Sequence, residues 1–300
     1  MILMYILLKT TGKNIAMDLI TFTEYFLAHK QDFDAILFDI DGTLCFGGRP
    51  LPGAKELLEL LEKEQVPYVL LTNDSCNSCK QKSAIMQNAG LPVPETKILS
   101  TGNALKYWAE KNYHGELFFQ CGELGNYAEL AGINVTRDPA KIYQCKGVLA
   151  GEGKYEWQDS MEAVFNLFLT HPEYPYVTAN PDSYWPSLHH EGMGIGAGAQ
   201  TRFICSVLKD AGKEISPVYL GKPYAPIYQC ALPFLQNSFP ERTFKDMGRL
   251  AMVGDSLASD ICGANANGLF SCLVLSGITT MELAEKAPAE RKPHAIFKSV

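Results

Sequence analysis

Short, unbroken apolar runs punctuate this chain, separated by stretches whose apolar residues recur every three or four positions. Residues 35–38, 68–71, 250–253 and 272–275 are such runs, the pattern of strands buried on both faces of a parallel sheet. Between the first two, residues 54–64 carry Leu57, Leu58, Leu60 and Leu61 among charges, which predicts a helix with one apolar stripe. Strand, helix and strand across 35–71 form a βαβ unit with a right-handed crossover. Leu19, Ile20, Phe22, Phe26 and Leu27 share a helical spacing over 19–30. Residues 80–89, 102–111, 160–169 and 200–211 read as further helices. Residues 117–119, 147–149, 176–178 and 218–220 read as strands, and 295–297 as a last edge strand.

The buried-strand pattern of residues 35–71 resumes at 218–275, while the stretch between has an α/β alternation of its own. The fold class is therefore α/β: a Rossmann-like, doubly wound parallel core built from residues 17–100 and 201–300. An α/β unit, residues 101–200, is inserted between the two segments. Residues 1–8 are apolar with no basic residue before them. They are too short to span a bilayer, which takes about 20 residues, and no small-residue cleavage site follows. A translation start at Met17 would remove the feature, so residues 1–16 are expected to be dispensable.

Composition narrows the functions. With 300 residues and 47% hydrophobic positions the chain can bury a large core. Its net charge of -7 and the lack of a basic cluster exclude a nucleic-acid or anionic-membrane binder. Nine scattered cysteines fit a reduced, cytoplasmic chain. Cys76 and Cys79 have the spacing of zinc ligands but no second pair to complete a site. The run 192–198 partly imitates a dinucleotide loop, yet no acidic residue closes a following strand. It reads as a flexible return from the insert to the core, with a helix beginning near Gln200.

Four strings stand at the ends of apolar runs: Asp39-Ile40-Asp41-Gly42-Thr43, Thr72-Asn73, Gly221-Lys222-Pro223, and Gly254-Asp255-Ser256 with Asp260. None is specific alone. Together they matter because ligands of an open parallel sheet bind beyond the carboxyl ends of its strands. Asp39 and Asp41 lie two apart and point the same way along an extended segment. Carboxylates so close repel unless a cation sits nearby, and Asp255 and Asp260 add oxygen ligands. Hard oxygen donors without a soft partner favour Mg²⁺. Lys222 would neutralise a phosphate, and Thr72 with the backbone around Asn73 would donate to its oxygens. Gly42 lets the chain turn away. This is a kit for phosphoryl transfer, which needs mainly positioning and charge neutralisation.

In these motifs the chain resembles the haloacid dehalogenase superfamily of phosphatases over roughly residues 33–280. The resemblance implies Asp39 as nucleophile, Asp41 as acid/base, Thr72 and Lys222 as phosphate-binding and catalytic groups, and Asp39, Asp41, Asp255 and Asp260 as the surroundings of Mg²⁺. Gly42 and Asn73 would complete the phosphate cradle. An insert between the second and third motifs is similar to a class II cap. Asn180-Pro181-Asp182 is similar to the IIA subgroup, which includes the NagD-like and p-nitrophenyl phosphatase-like enzymes. Asp182 and His189 are then candidates for substrate contact from the cap. Expected are a small phosphorylated metabolite as substrate, an aspartyl-phosphate intermediate, and room for a homodimer through the cap. Asp41 argues against dehalogenase and phosphonatase chemistry, while a phosphotransferase, a phosphomutase or a non-catalytic sensor stays open. Ser256, where arginine is common in the subgroup, and Asp74, where asparagine or serine is usual, leave the substrate undetermined.

Overall fold

The computed structural model of the protein describes residues 19–110, 112–153, 156–186 and 192–300. The expected dispensable segment 1–16 and the candidate His189 lie outside them.

Six parallel strands form the core sheet, in the order Ala295–Phe297, Phe270–Val274, Leu250–Gly254, Ala35–Phe38, Tyr68–Thr72 and Ile98–Ser100. The expected runs occupy the centre and Ala295–Phe297 the edge. The opposite edge, Ile98–Ser100, has no counterpart in the reading of the sequence. From Ala35–Phe38 the chain first winds outward through Tyr68–Thr72, and later returns on the other side through Leu250–Gly254. The direction of winding reverses between Ala35–Phe38 and Leu250–Gly254, and the crevice at such a switch point is where an open α/β sheet binds ligands.

Helix Phe22–Ala28 begins at a capping box in which Thr21 Oγ1 accepts from the Glu24 N–H and the Glu24 carboxylate accepts from the Thr21 N–H. It buries Phe22 and Phe26 and leaves Leu27 about half exposed, while Ile20, expected in the same helix, precedes its cap and is also about half exposed. Phe22 meets Phe38 and Phe297 edge to face at 5.8 and 5.6 Å. Helix Ala54–Lys63 buries Leu57, Leu58 and Leu61 under the same face. Each such side chain contributes roughly 1.5–3 kcal/mol, so this layer holds the Ala35–Phe38 strand rigidly.

A second parallel sheet runs Val218–Tyr219, Tyr176–Thr178, Val148–Ala150, Leu117–Cys121 and Asn134–Thr136. Val218–Tyr219 is thus an edge of the second sheet, whereas its sequence reads as a return to the core. Helix Ala197–Asp210 packs on that sheet through Ile204 and Leu208, so a boundary at residue 200 falls inside an element of the insert. The short run 218–220 had no means of naming its sheet, and both strand residues are only half-buried. The 192–198 run also differs from expectation. Met193–Ile195 pairs antiparallel with Tyr184–Pro186, and the helix starts at Ala197.

One apolar cluster joins the two sheets, with Leu37, Val69 and Leu71 on one side and Phe118, Leu149 and Val177 on the other. Tyr127, which follows the second sheet's Leu117–Cys121 strand, packs against Gly102 of a core helix, and its Oη lies 2.7 Å from Lys82 Nζ. The second sheet thereby stands over the carboxyl ends of the core strands.

Candidate active site

The four strings converge at the switch point. Asp39 directly follows the Ala35–Phe38 strand, and its N–H donates to Val253 O at 2.9 Å, which ties it to the neighbouring Leu250–Gly254 strand. Asp255 directly follows that neighbour. Asp260 is brought back by a π-helical turn, Leu257–Ile261, a geometry that recurs at functional sites. One carboxylate oxygen each of Asp39, Asp255 and Asp260 lies within 4.8 Å of the others. Lys222 Nζ enters this cluster, 2.5 Å from Asp39 Oδ1 and 2.8 Å from Asp260 Oδ1.

The remaining contacts divide the carboxylates by task. Asp260 gives Oδ1 to Lys222, and its Oδ2 accepts the Ser256 N–H at 3.0 Å. Asp255 Oδ2 accepts the Ile278 N–H at 2.7 Å, and its carbonyl accepts the Thr279 hydroxyl. Oδ2 of Asp39 and Oδ1 of Asp255 therefore remain for a ligand, while Asp260 acts on Lys222. Asp41 is exposed and its carboxylate is not one of the three in the cluster.

Three carboxylates against one ammonium leave two negative charges in a largely buried space, and the titration behaviour reflects this. Burial holds Asp39 well above the usual carboxylate range. Lys222 offsets part of the effect, and Asp260 and Asp255 add to it. Asp255 is pushed up to about 7, by burial first and then by Asp260, against the opposing Ile278 N–H and Lys222. Burial alone would lower Lys222, but Asp260 and Asp39 outweigh it and keep the ammonium charged. Asp41 is also raised, by the surrounding cleft walls and then by Asp74. A divalent cation fits this donor set: oxygen atoms only, two of them free, and a deficit of two charges.

Glycine matters here as clearance. Gly42 has φ +82°, and a Cβ on it would lie 2.3 Å from Asp255 Oδ2. Its N–H donates to Cys45 O at 2.7 Å and its carbonyl accepts from Ser276 Oγ at 2.8 Å. The structure thus gives Gly42 a steric task in place of the expected phosphate contact. Gly254 stands likewise against Asp260, where a Cβ would come within 2.2 Å of Cγ. Gly42→Ala is expected to cost more than 2 kcal/mol, by about the sum of left-handed strain and displaced packing. Urea unfolding of the variant checks this, and an unchanged midpoint contradicts it.

Thr72 ends its strand buried. Its Oγ1 accepts the Asp74 N–H at 3.1 Å, leaving the hydroxyl hydrogen to donate into the cleft. Asn73 is also buried, and its side chain is committed to Lys222 and Asp182, so the expected donation to a phosphate would have to come from the main chain. Asp182 meets Asn73 at 3.1 Å. Burial raises its pKa, and the Asn73 hydrogen bond opposes the rise. Asp74 accepts from the Cys76 N–H at 2.8 Å and lies 3.3 Å from buried Lys82.

Two participants were not read from the sequence, the segment 276–279 and Glu152, and a third, Asn180, was read only as part of a subgroup motif. The segment 276–279 supplies Ser276, Ile278 and Thr279, and it follows a core strand at the same sheet end, which was the usable signal. Asn180 and Glu152 belong to the second sheet's carboxyl ends. Glu152 is buried and bonded to Asn180 Nδ2, and its other oxygen lies 3.9 Å from Cys76 Sγ. Burial pushes it up to about 7, with Asp74 and Asp182 adding to the rise against Asn180 and Lys82. A carboxyl raised in the folded state binds its proton more tightly there than in the unfolded chain. Stability therefore falls as pH rises from about 4.5 to about 7. Glu152→Gln is expected to remove that slope and to raise stability at pH 8, by at most roughly 3 kcal/mol. Thermal melting at pH 5 and pH 8 checks it; equal slopes in both proteins contradict it.

Comparison with known proteins decides the family. Residues 36–136 match the family model of haloacid dehalogenase-like hydrolases, and residues 219–300 match a second, HAD-hydrolase-like model. The chain belongs to the haloacid dehalogenase-like hydrolases. The ribonucleotide monophosphatase NagD of Escherichia coli strain K12 is 28% identical over 269 residues, 88% of this chain and 96% of NagD. Its solved structure superposes with a TM-score of 0.73 at 26% identity, covering 89% of this chain and 96% of that one. Dihydroxyacetone phosphatase of Corynebacterium glutamicum is 27% identical, with 81% of each chain covered. The p-nitrophenyl phosphatase of Archaeoglobus fulgidus superposes with a TM-score of 0.73 at 25% identity, over 89% of this chain and 97% of the other. This haloacid dehalogenase-like chain has no helix among its described residues long and apolar enough to cross a membrane.

Proposed function

We propose that this protein is a Mg²⁺-dependent phosphatase that hydrolyses a small phosphomonoester through an aspartyl-phosphate on Asp39. The observation that carries the reading is Lys222, held between Asp39 and Asp260 beside Asp255 at the switch point. The second sheet and its helices would form the cap, running from about Leu117 to Tyr219.

Asp39 and Asp255 would hold the cation through their free oxygens, with the Asp41 carbonyl as a further donor. The cation would supply charge neutralisation at the phosphoryl oxygens. Lys222 fixes the Asp39 carboxylate and adds a positive charge beside the incoming phosphate. Thr72 donates its hydroxyl hydrogen to a phosphoryl oxygen. In the first half, an Asp39 oxygen bonds to phosphorus, the bond from phosphorus to the leaving oxygen breaks, and Asp41 gives that oxygen its proton. The raised pKa of Asp41 suits a group that must begin protonated. In the second half, Asp41 takes a proton from water, the water oxygen bonds to phosphorus, and the bond to Asp39 breaks. Phosphate leaves and Asp39 is regenerated.

The named relatives act on a ribonucleotide monophosphate, on dihydroxyacetone phosphate and on p-nitrophenyl phosphate, so all three leaving groups belong in the assay. Phosphate release is expected with Mg²⁺ and is expected to vanish in excess chelator. Undiminished release in chelator would overturn the metal role. Quantitative transfer to an added sugar hydroxyl in place of water would make the protein a phosphotransferase.

A further inference from the structure

Asn73 commits its entire side chain to its neighbours. Its Oδ1 accepts the Lys222 N–H at 2.7 Å, and its Nδ2 donates to the Lys222 carbonyl at 3.0 Å. The same Nδ2 donates to Asp182 Oδ2 at 3.1 Å. The amide therefore grips the Lys222 main chain at two points, and a carboxylate from the second sheet holds the amide. A hydrogen bond to a charged acceptor is roughly twice as strong as a neutral one, and burial strengthens it further.

Asp182 is itself held from behind. Its N–H donates to Asn180 Oδ1 at 2.9 Å, and Asn180 Nδ2 donates in turn to buried Glu152. Arg202 Nη2 donates to Pro181 O and Ser183 Oγ, both at 2.6 Å, so the residues flanking Asp182 are fixed to helix Ala197–Asp210. An unbroken series of contacts runs from Glu152 through Asn180, Asp182 and Asn73 to Lys222, and from its ammonium to Asp39.

We propose that Asp182 is a positioning residue for phosphoryl transfer: by fixing Asn73 it sets the Lys222 main chain, and so places the ammonium between Asp39 and Asp260. The proposal rests on the phosphatase reading. It gives Asp182 a task other than contact with the leaving group, and it couples the seating of the second sheet to the nucleophile. The ammonium has little latitude at 2.5 and 2.8 Å from two carboxylates, and a displacement near 1 Å can cost on the order of a hundredfold in rate.

The test is Asp182→Ala, assayed with Mg²⁺ on p-nitrophenyl phosphate, dihydroxyacetone phosphate and a ribonucleotide monophosphate. Positioning through Lys222 lowers kcat about tenfold or more, by the same factor on all three esters, and any rise in KM is shared equally by all three. Asp182→Asn retains an Oδ1 acceptor and is expected to recover most of the loss. A rise in KM confined to one leaving group, or an unchanged kcat in the folded variant, overturns the proposal. Should Asp182→Ala fail to fold, Asn180→Ala, which removes the acceptor behind the Asp182 N–H, is held to the same criterion. Orthophosphate binding to the Mg²⁺-loaded protein, read by calorimetry, gives a measure independent of turnover. It is expected to weaken about tenfold in Asp182→Ala, and unchanged affinity overturns the proposal even if the wild type hydrolyses none of the esters. Loss of the phosphatase reading, which shows in the wild type alone, is thus distinguished from loss of this one.

Discussion

Asp39→Asn is expected to lower kcat/KM by at least about 10⁴-fold, the scale on which removal of a nucleophile acts, while the protein stays folded. Asparagine preserves the shape of the side chain and the contacts of the strand end, since the Asp39 N–H to Val253 O bond is main-chain. What is lost is the anionic oxygen that bonds to phosphorus. Stability moves the other way. Burial and two neighbouring carboxylates hold Asp39 well above its usual pKa, so its ionised form costs folding free energy at neutral pH. In chelator the variant is expected to melt at the same temperature as the wild type or higher. A variant that is folded and turns over at wild-type rates removes Asp39 from the nucleophile's role. A variant that is inactive because it is unfolded separates the two halves of the expectation.

Lys222→Met has the second large effect, and it strikes stability and activity together. The ammonium is the one cation in contact with the Asp39 and Asp260 carboxylates among the described residues, and methionine nearly preserves the volume of the stem. Breaking a buried pair by removing one partner costs about 3–5 kcal/mol. The cost has a pH signature. With Lys222 present, Asp255 already sits near 7 and Asp39 is raised, and without it both rise further. The folded variant then binds more protons than the unfolded chain from about pH 4 upward, so its stability falls with pH across that window. The deficit against wild type is expected to be larger at pH 8 than at pH 5. Mg²⁺, which binds the folded carboxylates, is expected to restore part of it. Urea unfolding at both pH values, with Mg²⁺ and with chelator, checks each sign. A deficit that grows toward low pH contradicts the account.

The core sheet was legible because parallel strands buried on both faces leave continuous apolar runs, and residues 35–38, 68–71, 250–253 and 272–275 are such runs. Asp39, Asp255 and Thr72 were legible for a related reason: each stands where such a run stops, and the sheet brings those stops together. Lys222 follows a run that joins the other sheet, so its place in the cluster could not be read from strand order; the motif alone carried it. Strands of two or three residues at half-buried or exposed edges, such as Val218–Tyr219 and Asn134–Thr136, have too few positions to show a period or to name a partner. The division of labour among the acidic groups was hidden as well. Whether Asp260 faces a cation or Lys222 depends on a π-helical turn and on one Ser256 N–H. The commitment of the Asn73 side chain was hidden too, because its partners lie more than a hundred residues away in sequence.

The central claim is a covalent phosphoryl group on Asp39, and rapid quenching tests it most directly. Wild-type protein mixed with p-nitrophenyl phosphate and Mg²⁺ would be acid-quenched within a turnover and the peptide containing Asp39 examined by mass spectrometry. The account requires a phosphorylated carboxylate at Asp39 that is absent in chelator and absent in Asp39→Asn. Turnover with an unmodified Asp39 peptide at every quench time, together with wild-type rates in Asp39→Asn, would contradict it.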